Sequence, residues 1–189
     1  MRRYLLAVAG GLGLAVALPG QDVGFTAAQG LRAYFFSPQD GRPWAQASVE
    51  TARREPQKLG FLRVAVLPVL VLEGGTLELD LDNFDVRTAG LWLHDLQDNP
   101  HTRGLRVAPA RIILRRGGQV AWDCTAAEAT LGAVDGVALR WVTLRDAAGV
   151  TRKVGAVTLV LDREAGRLRV TAPGPAGVPE ERDFALTKL

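Results

Sequence analysis

The sequence Leu-Glu-Leu-Asp-Leu-Asp at residues 77–82 sets the fold class, because apolar and acidic residues alternate along it one by one. On a β-strand, successive side chains point to opposite faces, so the leucines share one face and the acids share the other. Residues 167–170 show the same period of two. Residues 154–161 are apolar at both parities, which is typical of a strand covered on both faces. These patterns predict an all-β domain.

Glycine-containing turns separate the apolar runs, as hairpins require. Hairpin turns are predicted at residues 39–41, 74–75, 117–118, 146–149 and 162–166. Only two stretches have helix potential, 45–54 and 125–131. Both lie inside a repeat described below and are interpreted as strands.

Pro68 lies inside the apolar run 61–72. Proline cannot donate a ladder hydrogen bond, so an edge, a bulge or a strand break is expected there.

The N-terminal residues 1–17 have the layout of a secretory signal peptide. Arg2 and Arg3 precede an uncharged apolar run, and small residues stand at Ala15 and Ala17. The run is shorter than the roughly 20 apolar residues of a membrane-spanning helix. Cleavage and export are therefore expected, with an uncleaved anchor as the alternative.

The remainder of the chain is predicted to contain one domain. Residues 22–172 carry the strand patterns, and a chain of this length falls within the usual size of one domain, roughly 100–200 residues. Residues 173–189 begin with a Pro- and Gly-rich stretch, which predicts a tail outside the sheet.

Charge and cysteine content exclude some classes of function. The chain has 23 Lys and Arg against 20 Asp and Glu, and its basic residues occur in pairs rather than in patches. Nucleic-acid binding needs clustered basic side chains, so it is not expected. Cys124 is the single cysteine. It is interpreted as a small buried apolar side chain, with a reactive thiol or an intermolecular disulfide as the alternative.

No residue pattern predicts catalysis, and we expect no catalytic residue, no metal and no cofactor. His94 and His101 flank a stretch rich in Asp and Asn, which is ordinary loop chemistry. The serines lack the Gly-x-Ser-x-Gly pattern of a nucleophile elbow. The carboxylates within residues 78–85 follow the pattern of a solvated strand face and the turn after it.

A weak internal repeat covers much of the domain. Trp44 follows a turn glycine and is itself followed six residues later by Glu50; Trp122 and Glu128 repeat this arrangement. In both copies a turn and an apolar strand come next, and a third, degenerate copy spans residues 146–170. Such units bury their apolar faces only by stacking on one another.

This unit, repeated along an exported chain, resembles the lipopolysaccharide-transport (Lpt/OstA-type) periplasmic proteins, over about residues 31–172. The resemblance implies an elongated, twisted β-jellyroll, an open roll of antiparallel hairpins whose two sheets hold acyl chains between them. It also implies edge-to-edge stacking with similar β-jellyroll proteins in the periplasm of a Gram-negative bacterium. The membrane-bound member of that group keeps an N-terminal anchor. The short apolar segment of this chain fits the soluble type better, with inner-membrane association as the alternative.

We therefore expect a non-enzymatic periplasmic module that binds lipid or the acyl chains of lipopolysaccharide. The expected lining is the alternating apolar face: Leu77, Leu79, Leu81, Trp141, Leu159 and Leu161. The alternative is an envelope β-sandwich that binds a protein partner through an exposed sheet edge. An apolar groove would favour lipid, and a tightly packed interior would favour the protein partner.

Overall fold

The computed structural model describes residues 7–8, 27–37, 40–59, 62–98, 104–132, 136–174 and 178–186. Within this part of the chain, twelve strands form one large mixed sheet, and one helix, α1 (Val86–Asp98), accompanies it. The prediction of an all-β protein is confirmed. The strands are β1 Ala7–Val8, β2 Ala27–Phe36, β3 Pro43–Leu59, β4 Leu62–Glu73, β5 Gly75–Asp80, β6 Arg106–Val107, β7 Ala110–Arg116, β8 Gln119–Leu131, β9 Gly136–Asp146, β10 Thr151–Asp162, β11 Arg167–Pro173 and β12 Pro179–Ala185.

The strand order is β1-β2-β3-β4-β6-β8-β9-β10-β11-β12, and β5 and β7 form a second connection between β3 and β8. Both β4 and β5 run antiparallel to β3, and both β6 and β7 run antiparallel to β8. The consecutive strands β4 and β5 therefore behave as one long, bent strand, and so do β6 and β7. The predicted hairpin at residues 74–75 is wrong, because Gly74, with a φ of 64°, bends the chain without reversing it.

The two bent strands lie side by side and point the same way, since β4 pairs in parallel with β6 and β5 with β7. Parallel neighbours require a long crossover connection, usually a helix. Residues 81–105 provide it and contain α1. The parallel pairs make the sheet mixed, where the sequence predicted antiparallel hairpins throughout.

A line of bends crosses the sheet, and we call it the crease. The strand registers align six residues in one row across the sheet, and at each of these positions the neighbouring strands have no assigned residue pair. The six residues are Glu50, Gly74, Pro109, Ala127, Trp141 and Gly155. Trp141 has a positive φ of 53°, and the Ala108–Pro109 peptide is cis.

The buried face of β8 and of β9 changes parity at the crease. In β9, Leu139 and Val142 are both buried, while Arg140 and Trp141 between them are exposed. Bends of this kind let one strand contribute to two packed sheets. The crease thereby folds the sheet into two halves that enclose one hydrophobic core, to which Leu114 and Leu144 contribute from one half and Leu159 and Leu168 from the other.

The C-terminal region differs from the predicted tail, because β12 pairs with β11 along its whole length. Arg167 and Arg169 on β11 donate to the carboxylate of Asp183 at 2.7 and 3.2 Å. Phe184 and Leu186 are buried in the core. Charged residues dominate β12, so its sequence lacks the apolar alternation by which the other strands were recognised.

The expected irregularity at Pro68 is confirmed, because the β3–β4 register shifts next to the Pro56–Pro68 pair. The stretches 45–54 and 125–131 are strands, as interpreted.

The predicted signal peptide lies outside the described residues, except for Ala7–Val8, which pairs with β2. His101 and the first-copy turn at residues 60–61 also lie outside them. Among the helical residues that are described, none belongs to a segment with the length and hydrophobicity needed to cross a membrane.

Candidate functional site: an apolar cavity beneath α1

The helix α1 begins at a side-chain cap. The carboxylate of Asp85 accepts hydrogen bonds from the Thr88 backbone N–H at 3.0 Å and from the Thr88 hydroxyl at 2.8 Å, which satisfies a donor of the first turn. Apolar residues then recur at helical spacing, with Ala89, Leu93 and Leu96 on one face. The prediction that only residues 45–54 and 125–131 have helix potential is therefore wrong, and residues 94–98, which were interpreted as loop, belong to this helix.

Three contacts hold α1 against the sheet. The ring of Trp92 meets Phe35 of β2 edge-on, with centroids 4.9 Å apart. Gln97 donates a side-chain hydrogen bond to the Gly132 carbonyl, just beyond β8, at 3.0 Å. Gly90 lies so close to Arg163 that a Cβ there would stand 2.6 Å from the guanidinium Nε. The helix therefore reaches from β2 to the ends of β8 and β10.

Beneath α1 lies a cavity of about 310 Å³. Its walls come from both halves of the folded sheet and from the helix, including Ala89, Leu93 and Leu96 of α1. Among the described residues of its wall, the one charged side chain belongs to Arg111.

Arg111 does not present a free charge to this cavity. It donates two hydrogen bonds to Asp123, at 3.0 and 2.8 Å. These bonds, together with the negative charge of Asp123, raise the pKa of Arg111 above its ordinary value. The cavity consequently suits an apolar guest.

The structure brings together four of the six residues predicted to line a ligand site. Leu77, Leu79, Leu159 and Leu161 all lie in the cavity wall. Leu81 is buried in the core but lies outside that wall. Trp141 is on the outer face of the sheet, with 76% of its surface exposed.

An aromatic cluster borders the cavity and was not predicted as part of the site. Trp44 contacts Phe35 and Phe84, with ring centroids 5.4 and 5.1 Å apart, and Trp92 continues the cluster through Phe35. Trp44, Phe84 and Trp92 line the cavity. Within the described part of the chain, the buried indole N–H of Trp44 has no hydrogen-bond partner.

A smaller cavity of about 200 Å³ lies between Trp122 on β8 and the β11–β12 pair. Its wall is partly charged and includes Arg152 and Glu180, which form an ion pair at 2.6 Å. Binding of an apolar chain beside these charges would be unfavourable, because it would desolvate them. The cavity beneath α1 is the better site for such a guest.

The carboxylates considered for catalysis each have a local structural partner. Asp80 accepts a hydrogen bond from the Asn83 side chain at 2.7 Å, and Glu78 pairs with Arg115. Asp85 caps α1. Within the described residues, no three His, Cys, Asp or Glu side chains are grouped as metal ligands would be. His94 lies 3.2 Å from Asp98 on the exposed surface of α1.

Cys124 is buried in the core, as interpreted from the sequence. Burial raises the pKa of its thiol to about 12. Since the thiolate is the reactive form, only about one molecule in ten thousand is reactive at pH 8 by this pKa.

We therefore expect a thiol-disulfide reagent such as DTNB to leave the native protein almost unmodified at pH 8. In denaturant, where the pKa returns to about 8.5, it should modify one thiol per chain rapidly. Absorbance of the released thiolate measures both rates. Rapid modification of the native protein would mean that Cys124 is accessible.

The chain matches no protein-family model, no curated protein and no solved structure. Fold and site together define a class of protein by geometry alone: a folded β-sheet with a helix-covered apolar cavity.

Proposed function

We propose that this chain is a non-enzymatic lipid-binding module that holds one acyl chain in the cavity beneath α1. The observation that carries the proposal is the cavity itself, about 310 Å³ of space with apolar walls. Sites for small molecules span roughly 300–1,000 Å³, so the cavity suits a single chain rather than a whole multi-chain lipid. Burial of each methylene group contributes about 0.8 kcal/mol.

We also propose that the lipid is one of the bacterial envelope, with lipopolysaccharide as the first candidate. The supporting observations are the loose Trp-to-Glu repeat and the signal-peptide layout at the N-terminus. In this proposal, the folded sheet serves as the twisted roll of the lipopolysaccharide-transport type, and the guest lies between its two halves. Lipopolysaccharide carries several acyl chains, so only one of them would be enclosed.

The alternative, a module that binds a protein partner through a sheet edge, has less support. The edge strand β12 carries four consecutive charged residues, 180–183. Charged side chains on an edge strand oppose the addition of another strand. An apolar cavity, in contrast, contributes nothing to binding through an edge.

Titration of the full chain with a fluorescent long-chain fatty acid tests the proposal. We expect saturable binding with one site per chain, and displacement of the probe by unlabelled long-chain but not short-chain fatty acids. Mass spectrometry of the native protein should then detect one bound acyl lipid. A folded sample that shows no saturable binding would overturn the proposal.

A further inference from the structure

Trp141 is an outlier in both backbone and exposure. It is the single non-glycine residue with a positive φ, 53°, among those described, and 76% of its surface is exposed. A positive φ is unfavourable for a bulky residue, because Cβ crowds the following carbonyl oxygen. Strain of this kind is concentrated at functional sites.

The surface around Trp141 is flat on both sides. Its neighbours across the ladders are Ala127 on β8 and Gly155 on β10, and both are small and exposed. A Cβ added at Gly155 would have no atom within 4 Å. The indole is therefore not covered by a side chain from either of these two positions.

Three cations occur near Trp141 in the strands: Arg140 precedes it on β9, Lys153 on β10 stands opposite Thr143, and Arg145 lies four residues further along β9. Arg140 and Arg145 on β9 and Lys153 on β10 are exposed, and no ion pair involves them among the described residues. We call Arg140, Trp141, Arg145 and Lys153 the outer patch. The nearby acidic residues on β8 form ion pairs with cations outside the outer patch: Asp123 lies 2.8 Å from Arg111, and Glu128 lies 4.0 Å from Arg106. The outer patch thus retains positive charge.

We propose that the outer patch docks the protein on an anionic membrane surface, with the indole of Trp141 inserted at the level of the lipid headgroups. Tryptophan is enriched at membrane–water interfaces, and basic side chains are attracted to anionic lipids. Protein interfaces typically have an aromatic centre depleted of charge, whereas here exposed cations lie on the same two strands as the aromatic residue and its neighbour Gly155. Docking on a membrane is a separate property from the proposed acyl-chain site, because the outer patch lies on the opposite face of the sheet.

Vesicle co-sedimentation of the full chain tests this inference. One set of vesicles is phosphatidylcholine, and the other is an equal mixture of phosphatidylcholine and phosphatidylglycerol. We expect binding to the anionic vesicles that weakens with added salt, and a loss of about tenfold in affinity for Trp141→Asn. Asparagine tolerates a positive φ, so this variant keeps the backbone conformation.

Two further variants sharpen the test. The double variant Arg140→Ala, Lys153→Ala should also lose affinity and most of its salt dependence. Val178→Asn removes another exposed apolar side chain, 67% exposed and outside the outer patch, and should bind like the wild type. Equal binding of the two vesicle types by the wild type, or unchanged binding by Trp141→Asn, would overturn the inference. Absence of wild-type binding to both vesicle types would leave a protein partner as the occupant of the outer patch.

Discussion

Replacing Trp44 with alanine is expected to lower the free energy of unfolding by about 3–5 kcal/mol, the usual cost of removing a buried tryptophan. Trp44 is only 2% exposed and packs between Phe35 and Phe84. Its removal would enlarge a cavity that already exists, and the aliphatic walls around it would lose their packing partner. Denaturant unfolding followed by far-ultraviolet circular dichroism measures the loss.

Trp44→Phe is the matched control. It keeps an aromatic ring and removes the indole N–H, a buried donor for which the described residues provide no partner. An unpaired buried donor is unfavourable, so this change should cost less than about 1.5 kcal/mol. Equal losses for the two variants, or a loss below about 1 kcal/mol for Trp44→Ala, would contradict the role given to the aromatic cluster.

Replacing Ala129 with phenylalanine is expected to weaken fatty-acid binding by about a hundredfold, equivalent to about 2.7 kcal/mol. Ala129 is buried in the cavity wall, opposite Leu139 on β9 and Val107 on β6. A phenyl ring there occupies the space that the acyl chain needs. Because the ring fills a void, the free energy of unfolding should change by less than about 1 kcal/mol.

Ala172→Phe is the control for the effect of added bulk. Ala172 is also a buried alanine on a strand, but it lines the smaller, partly charged cavity. Fatty-acid affinity should remain close to that of the wild type in this variant. If both variants lose binding equally, or if Ala129→Phe binds normally, the acyl chain does not occupy the cavity beneath α1.

Strands with apolar alternation could be predicted from the sequence, whereas the charged strand β12 and the crease could not. Alternation along residues 77–82 is a local signal, and it placed Leu77 and Leu79 on a common buried face. The crease depends on which residues stand opposite one another in strands far apart in the chain. Gly74 illustrates the difference, since a glycine between two apolar runs fits a reversal as well as a bend, and only the pairing of β4 and β5 with β3 distinguishes them.

Only part of the cavity wall could be predicted from the sequence. Its aliphatic walls follow from alternation, but the helical wall required a change of period from two to 3.6 at Val86, directly after a strand that alternates strongly. Trp141 was predicted to line the site as a member of the alternating apolar face. The parity change between Leu139 and Val142 turns it outward instead, and that change arises from the crease.

The crease also determines how the interior could be reached. The strands β3, β8, β9 and β10 run without interruption through it, so the same four segments of backbone build both halves of the sheet. Neither half can move away from the other as a rigid body without disrupting these strands. A guest would therefore have to enter and leave the interior without any separation of the two halves.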